Sequence, residues 1–254
     1  MPMPISGKIY GHNDFTGIYN DVVWGTGTLV SAAFAPFGFT SDDEGSFAST
    51  VDEPGGILAI TTDVGDDDSA VLFAGPFFAR DGGMRMGARF KYSNTDCAVF
   101  VGFAETISLT APVMPAEFAT ATMTYNPGNM VGFNYDVDGT TDDFRAVMGD
   151  GSAAISDSGN GTRANATLTA DRWFEAEVIV NTDGTAECWL SDVGHVDPEG
   201  FPTLRLIKRF STGTLLNTTD PLYPILMIEN RSANARVLEV DYMWFEANRD
   251  RRCD

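Results

Sequence analysis

From Phe37 onward, short apolar runs alternate with clusters of Gly, Asp and Asn. Residues 85–92 show the pattern most plainly. Met86, Ala88, Phe90 and Tyr92 fall on one side, and Arg85, Gly87, Arg89 and Lys91 on the other. A period of two belongs to a strand with one buried face. Residues 130–137 alternate in the same way, whereas 98–104 (AVFVGFA) form a continuous apolar run that reads as a buried strand. Residues 57–62 are rich in β-branched side chains and are bounded by Gly55-Gly56 and Gly65-Asp66. Residues 70–78 are apolar but interrupted at Gly75-Pro76, which suggests a bulge or an edge position. The clearest hairpin spans 173–190. Phe174, Ala176, Val178 and Val180 share one face, Asp183-Gly184 supplies the turn, and Ala186, Cys188 and Leu190 return on one face. An Asp-Gly pair between alternating runs provides the positive φ that tight hairpin turns require. Two more strands, 223–229 and 236–245, flank the turn residues 230–234. Residues 116–122 (AEFATAT) read as one short helical turn, and no amphipathic helix of three turns is evident. The pattern predicts an all-β protein built as an antiparallel two-sheet β-sandwich or jelly roll.

Residues 1–35 differ. They mix Gly and Asn with isolated aromatics and show no period, so they read as an irregular N-terminal arm preceding a sandwich domain at 36–254. Large apolar rings are unfavourable in water. Tyr10, Phe15, Tyr19 and Trp24 are therefore interface candidates, covered either by the parent domain or by a neighbouring subunit.

Charge narrows the partners. The chain carries 36 acidic against 16 basic residues, a formal charge of −20. Binding a nucleic-acid backbone needs a Lys/Arg patch, and only the short cluster Arg249, Arg251 and Arg252 offers one, so no direct nucleic-acid partner is expected. No apolar run approaches the roughly 20 residues of a spanning helix, so no membrane partner is expected either. The N-terminus lacks the pattern of a secretory signal, and the chain reads as made in the cytoplasm and kept soluble. Cys97 and Cys188 sit in apolar runs as core residues, and no CxxC metal motif is present.

The stretch 173–190 resembles the paired strands of the concanavalin-A-like jelly roll shared by legume lectins, laminin-G modules and many glucanases. Residues 67–76, the 98–104 strand, 222–231 and Val240-Asp-Tyr242 also resemble a group of tailed-bacteriophage virion proteins, capsid-associated or decoration proteins with this sandwich. That resemblance implies a non-enzymatic structural protein of a virion, made in the host cytoplasm. Its partners would be capsid or other virion proteins and further copies of itself. The alternative is a carbohydrate-binding, lectin-like module that recognises a surface glycan.

The residues offer little catalytic chemistry. Glucanases of this fold place paired carboxylates on alternate positions of one strand. The nearest match, Glu239-Val-Asp241, has Met243 and Trp244 where a third carboxylate belongs. Glu246, an odd number of positions from Glu239, is expected on the opposite face. Glu239 and Asp241 then read as the polar face of a strand burying Leu238, Val240, Tyr242 and Trp244. His12 and His195 have no nucleophile nearby, Gly-x-Ser-x-Gly is absent, and His195 sits in a loop by composition. No cofactor is implied, calcium apart. The acidic loops at 63–68 and 136–143 make Asp136, Asp138 and Asp142 calcium candidates, although acidic turns are expected in so acidic a chain. A glycan groove would use exposed aromatics, for which Trp24, Tyr135 and Trp189 are eligible.

Overall fold

A computed structural model describes residues 8–14, 37–42, 44–49, 57–119, 122–126, 128–139, 141–150, 161–167, 171–196, 202–211 and 216–248. The strands are β1 (Lys8–Asp14), β2 (Phe37–Ser41), β3 (Ser46–Ser49), β4 (Leu58–Thr61), β5 (Ser69–Ala74) and β6 (Met84–Tyr92). They continue with β7 (Cys97–Ala104), β8 (Ala116–Ala119), β9 (Thr122–Tyr125), β10 (Asn129–Asp136), β11 (Asp143–Asp150) and β12 (Thr162–Thr167). The last are β13 (Phe174–Val180), β14 (Ala186–Val196), β15 (Pro202–Phe210), β16 (Tyr223–Asn230) and β17 (Val237–Asn248).

Two antiparallel sheets form a sandwich, as the alternation predicts. Sheet A runs β15-β14-β13-β6-β17-β4-β3, and sheet B runs β12-β11-β10-β7-β16-β5-β2. The long β17 is shared on one side: its first residues pair with β4, and Tyr242 to Asn248 pair with β1. Residues 8–14 of the arm are thus a regular strand. Backbone pairing along a neighbour needs no hydrophobic alternation, which is why the sequence pattern did not reveal it.

Between the sheets the alternate residues interlock. Phe90, Tyr92, Phe133, Tyr135, Phe144 and Phe174 are fully buried. Tyr92 of sheet A stacks on Tyr135 of sheet B at 5.6 Å between ring centres. Each such ring stabilises the fold by about 1.5–3 kcal/mol through burial alone. The predicted hairpin is present: Gly184 has φ +83°, Asn181 donates its N–H to the Thr185 carbonyl at 2.8 Å, and Asp183 accepts from the Thr185 N–H.

The outer face of sheet B carries a second core. Val71, Phe100, Ala104, Met130, Val147, Ile225 and Met227 project outward, and the connection between β7 and β10 folds back over them with Met114, Ala116, Phe118 and Met123. Ser69 and Thr40 donate their hydroxyls to the carbonyls of Pro112 and Leu109, which anchors the connection. Residues 116–119 are therefore a strand and not the expected helical turn. They pair with β9, and alternation buries Ala116 and Phe118 against the sheet. Nor is Gly75-Pro76 a bulge or an edge: β5 ends before it and lies between β16 and β2.

Candidate functional site

Three polar regions stand out on the sandwich. The first is the outer face of sheet A. The register of β17 shifts between Val240 and Tyr242, an irregularity that resets the alternation. Met243 and Phe245 are buried in place of the expected Tyr242 and Trp244. Glu246 consequently shares the outer face with Glu239, contrary to the parity of a regular strand. Each carboxylate is neutralised by its own cation: Lys91 lies 2.7 Å from Glu239, Arg85 lies 2.6 Å from Glu246, and Arg89 pairs with Asp241. This is an ion-pair ladder across strands. Trp173, half-buried, lies under Arg89 and Lys91, and Trp244 under Arg85. Trp189 is also half-buried here, its indole N–H donating to Glu187 at 3.1 Å.

The second region contains two of the calcium candidates. Asp136 ends β10 with its side chain fully buried, and the cation beside it is the Arg231 guanidinium, 2.8 Å away. Asp136 Oδ1 accepts from the Asp138 N–H and Arg231 Nε, and Oδ2 from the Phe118 N–H and Arg231 Nη2. Those bonds use the roughly four lone-pair directions of a carboxylate. Arg231 also reaches Asp67 at 2.8 Å and Glu229 at 2.7 Å, with Glu117 and Asp138 at 3.5 and 3.9 Å. Burial alone would lower the Arg231 pKa, but the bond to Asp136 and the charges of Glu229 and Asp136 outweigh it and raise it. Burial pushes the Glu229 carboxyl up to about 8. Burial and then the Asp136 charge also raise Asp138, which is exposed. Asp142 is exposed. Among the described residues no group of three or more His, Cys, Asp or Glu is arranged to hold a metal ion. The Asp136 loop does not fit calcium, because a guanidinium takes its carboxylate oxygens.

The third region is a cleft of about 330 Å³ where β7 ends and β10 begins. Glu105, Thr106, Ser108 and Asn126 give it polar walls; Val113, Pro115 and Met130 give it apolar ones. Asn129 fixes the polar side. Its N–H and Nδ2 donate to Glu105 Oε2 at 2.7 and 2.9 Å, Nδ2 also donates to Asp220 Oδ2 at 2.7 Å, and its Oδ1 accepts the Asn217 N–H at 3.0 Å. The network ties three chain segments together. It holds Glu105 by one oxygen and leaves Oε1 outside these bonds. The half-buried Tyr223 stands beside Ala104, in register with it across β16 and β7.

Among the described residues, the nominated Asp136 and Asp138 come together around Arg231, joined by Asp67 of the other acidic loop. Tyr135 is no groove aromatic: it is fully buried and donates its hydroxyl to the Thr95 carbonyl at 2.7 Å. His195 lies in β14 and not in a loop, because the strand continues to Val196 opposite Pro202. Tyr10 sits in β1 opposite Glu246. Phe15, Tyr19 and Trp24 fall outside the described residues. Sequence reasoning missed Glu105, Asn129 and Asp220. They carry no motif, and the one local signal was the turn chemistry of Asn217-Thr-Thr-Asp220.

Solved structures match this architecture over nearly the whole chain. A protein of unknown function from Shewanella oneidensis MR-1 is 15% identical with a TM-score of 0.58, over 96% of this chain and 88% of that one. Peanut lectin is 11% identical with a TM-score of 0.52, over 94% and 97%. The fold is the concanavalin-A-like β-sandwich. The Emp46p carbohydrate recognition domain, in its potassium-bound form, shares it at 12% identity and a TM-score of 0.51, over 87% of this chain and 92% of that one. No protein-family model and no curated protein matches the sequence.

Proposed function

We propose that the protein is a non-enzymatic glycan-binding module whose ligand occupies the cleft at Glu105. The observation that carries this reading is the cleft itself. It sets a fixed carboxylate and hydroxyls beside an apolar wall, the combination a sugar needs for its hydroxyls and its C–H face. Two of the fold neighbours, a lectin and a carbohydrate recognition domain, support the reading at the level of fold. The sequence resemblance to tailed-phage virion proteins is compatible with it: a virion protein that recognises a host surface glycan would use such a cleft. Binding is preferred to catalysis because the carboxylates of the β17 ladder are each engaged by a cation.

The test is retention on a glycan array, repeated with Glu105→Ala. The expected result is a defined set of bound glycans, lost in the variant although it still melts cooperatively. Retention of no glycan, or equal retention by the variant, contradicts the proposal.

A further inference from the structure

We infer that the ligand is an uncharged, hydroxyl-donating saccharide end, and that sialylated, sulfated and uronate-bearing glycans are rejected. This rests on the glycan-binding reading and concerns which glycans enter. The hydrogen-bond polarity of the cleft selects for such a ligand. Its lining contains no Lys, Arg or His. The Asn129 amide gives its two N–H groups to Glu105 and Asp220, and Asn126 gives one of its two to the Met114 carbonyl. Ser108 Oγ accepts the Ala111 N–H at 3.0 Å. Beyond these, the cleft presents Glu105 Oε1, an acceptor only, and the Thr106 and Ser108 hydroxyls, which donate or accept. A sugar hydroxyl can donate to Glu105 Oε1, and a carboxylate or sulfate cannot.

Charge acts in the same direction. Glu105 is negative, Asp220 lies directly behind Asn129, and the whole chain carries −20. An anionic group brought within several ångströms of Glu105 is disfavoured by about tenfold at the dielectric of a protein surface. Size matters too. At about 330 Å³ the cleft lies near the small end of the ligand-pocket range of about 300–1,000 Å³, which suits a terminal sugar and not the interior of a long chain. The exposed Val113 and buried Pro115 give the apolar face on which the sugar C–H groups rest.

The experiment pairs each neutral glycan retained by the wild-type protein with its sialylated and sulfated counterparts and measures both by calorimetry. The neutral form is expected to bind at least about tenfold more tightly. Glu105→Gln, which keeps an acceptor oxygen and removes the charge, is expected to narrow that gap. Equal or tighter binding of the acidic forms overturns this inference and leaves glycan binding intact. Failure to bind any glycan removes both. An unchanged gap in a Glu105→Gln variant that melts like the wild type overturns the assignment to Glu105.

Discussion

The guanidinium of Arg231 lies 2.8 Å from the carboxylate of Asp136, and the two side chains are 6% and 0% exposed. Residues 95 positions apart meet where β10 ends and β16 has just ended. A buried ion pair is weak evidence for net stability, but removing one partner strands the other. Arg231→Met is therefore expected to destabilise the fold by about 3–5 kcal/mol in urea titrations. Arg231→Met with Asp136→Asn should cost less than the sum of the single changes. Additive losses would show that the pair is not coupled.

Glu229 gives the same cluster a pH dependence. Burial raises its carboxyl from the ordinary 4.5 to about 8, with Arg231 opposing the shift and Glu117, Asp67 and Asp136 reinforcing it. Between these values the folded state binds more protons than the unfolded chain, so this group's contribution falls as pH rises. It is fully present below about pH 4.5 and lost by about pH 8. Glu229→Gln should flatten that part of the stability profile, measured by urea unfolding at several pH values. An unchanged slope would rule out Glu229 as its source.

The Gly102–Gly132 pair lets β7 and β10 approach closely. A Cβ at Gly102 would lie 2.2 Å from the Val131 carbonyl oxygen, on backbone with φ +155°. Gly102→Ala must push the two strands apart, with an expected loss of at least about 2 kcal/mol or failure to fold. A variant as stable as the wild type in urea titrations would contradict the close pairing of these strands.

On the β17 ladder, Glu239, Asp241 and Glu246 are occupied by Lys91, Arg89 and Arg85. The protein is expected to release no reducing sugar from β-glucans. Release that disappears in Glu239→Gln would overturn the non-enzymatic reading.

Much of the fold was legible in the sequence because alternation is a local signal. Met86, Ala88, Phe90 and Tyr92 announce a strand without reference to any partner, and Asp183-Gly184 announces its turn. What was missed depends on non-local pairing. The irregularity near Asp241 shows only in register against β6, and residues 116–119 become a strand because β9 and sheet B await them. Lys8 to Asp14 pair with β17 from the other end of the chain. The candidate site was less legible still: Glu105 and Asp220 meet through Asn129, which is 24 positions from one and 91 from the other. The calcium candidates show the converse. Asp136 and Asp138 looked like cation ligands, and the cation that meets them is an arginine from a different strand end.

A sugar seated in the cleft at the β7–β10 end of sheet B is visible in backbone amide spectra recorded during titration with a neutral saccharide retained on the array. The shifted resonances are expected to cluster at Glu105, Thr106, Ser108, Gly128 and Asn129. Shifts centred instead on Trp173, Trp189 and Trp244 of the outer face of sheet A would contradict this placement.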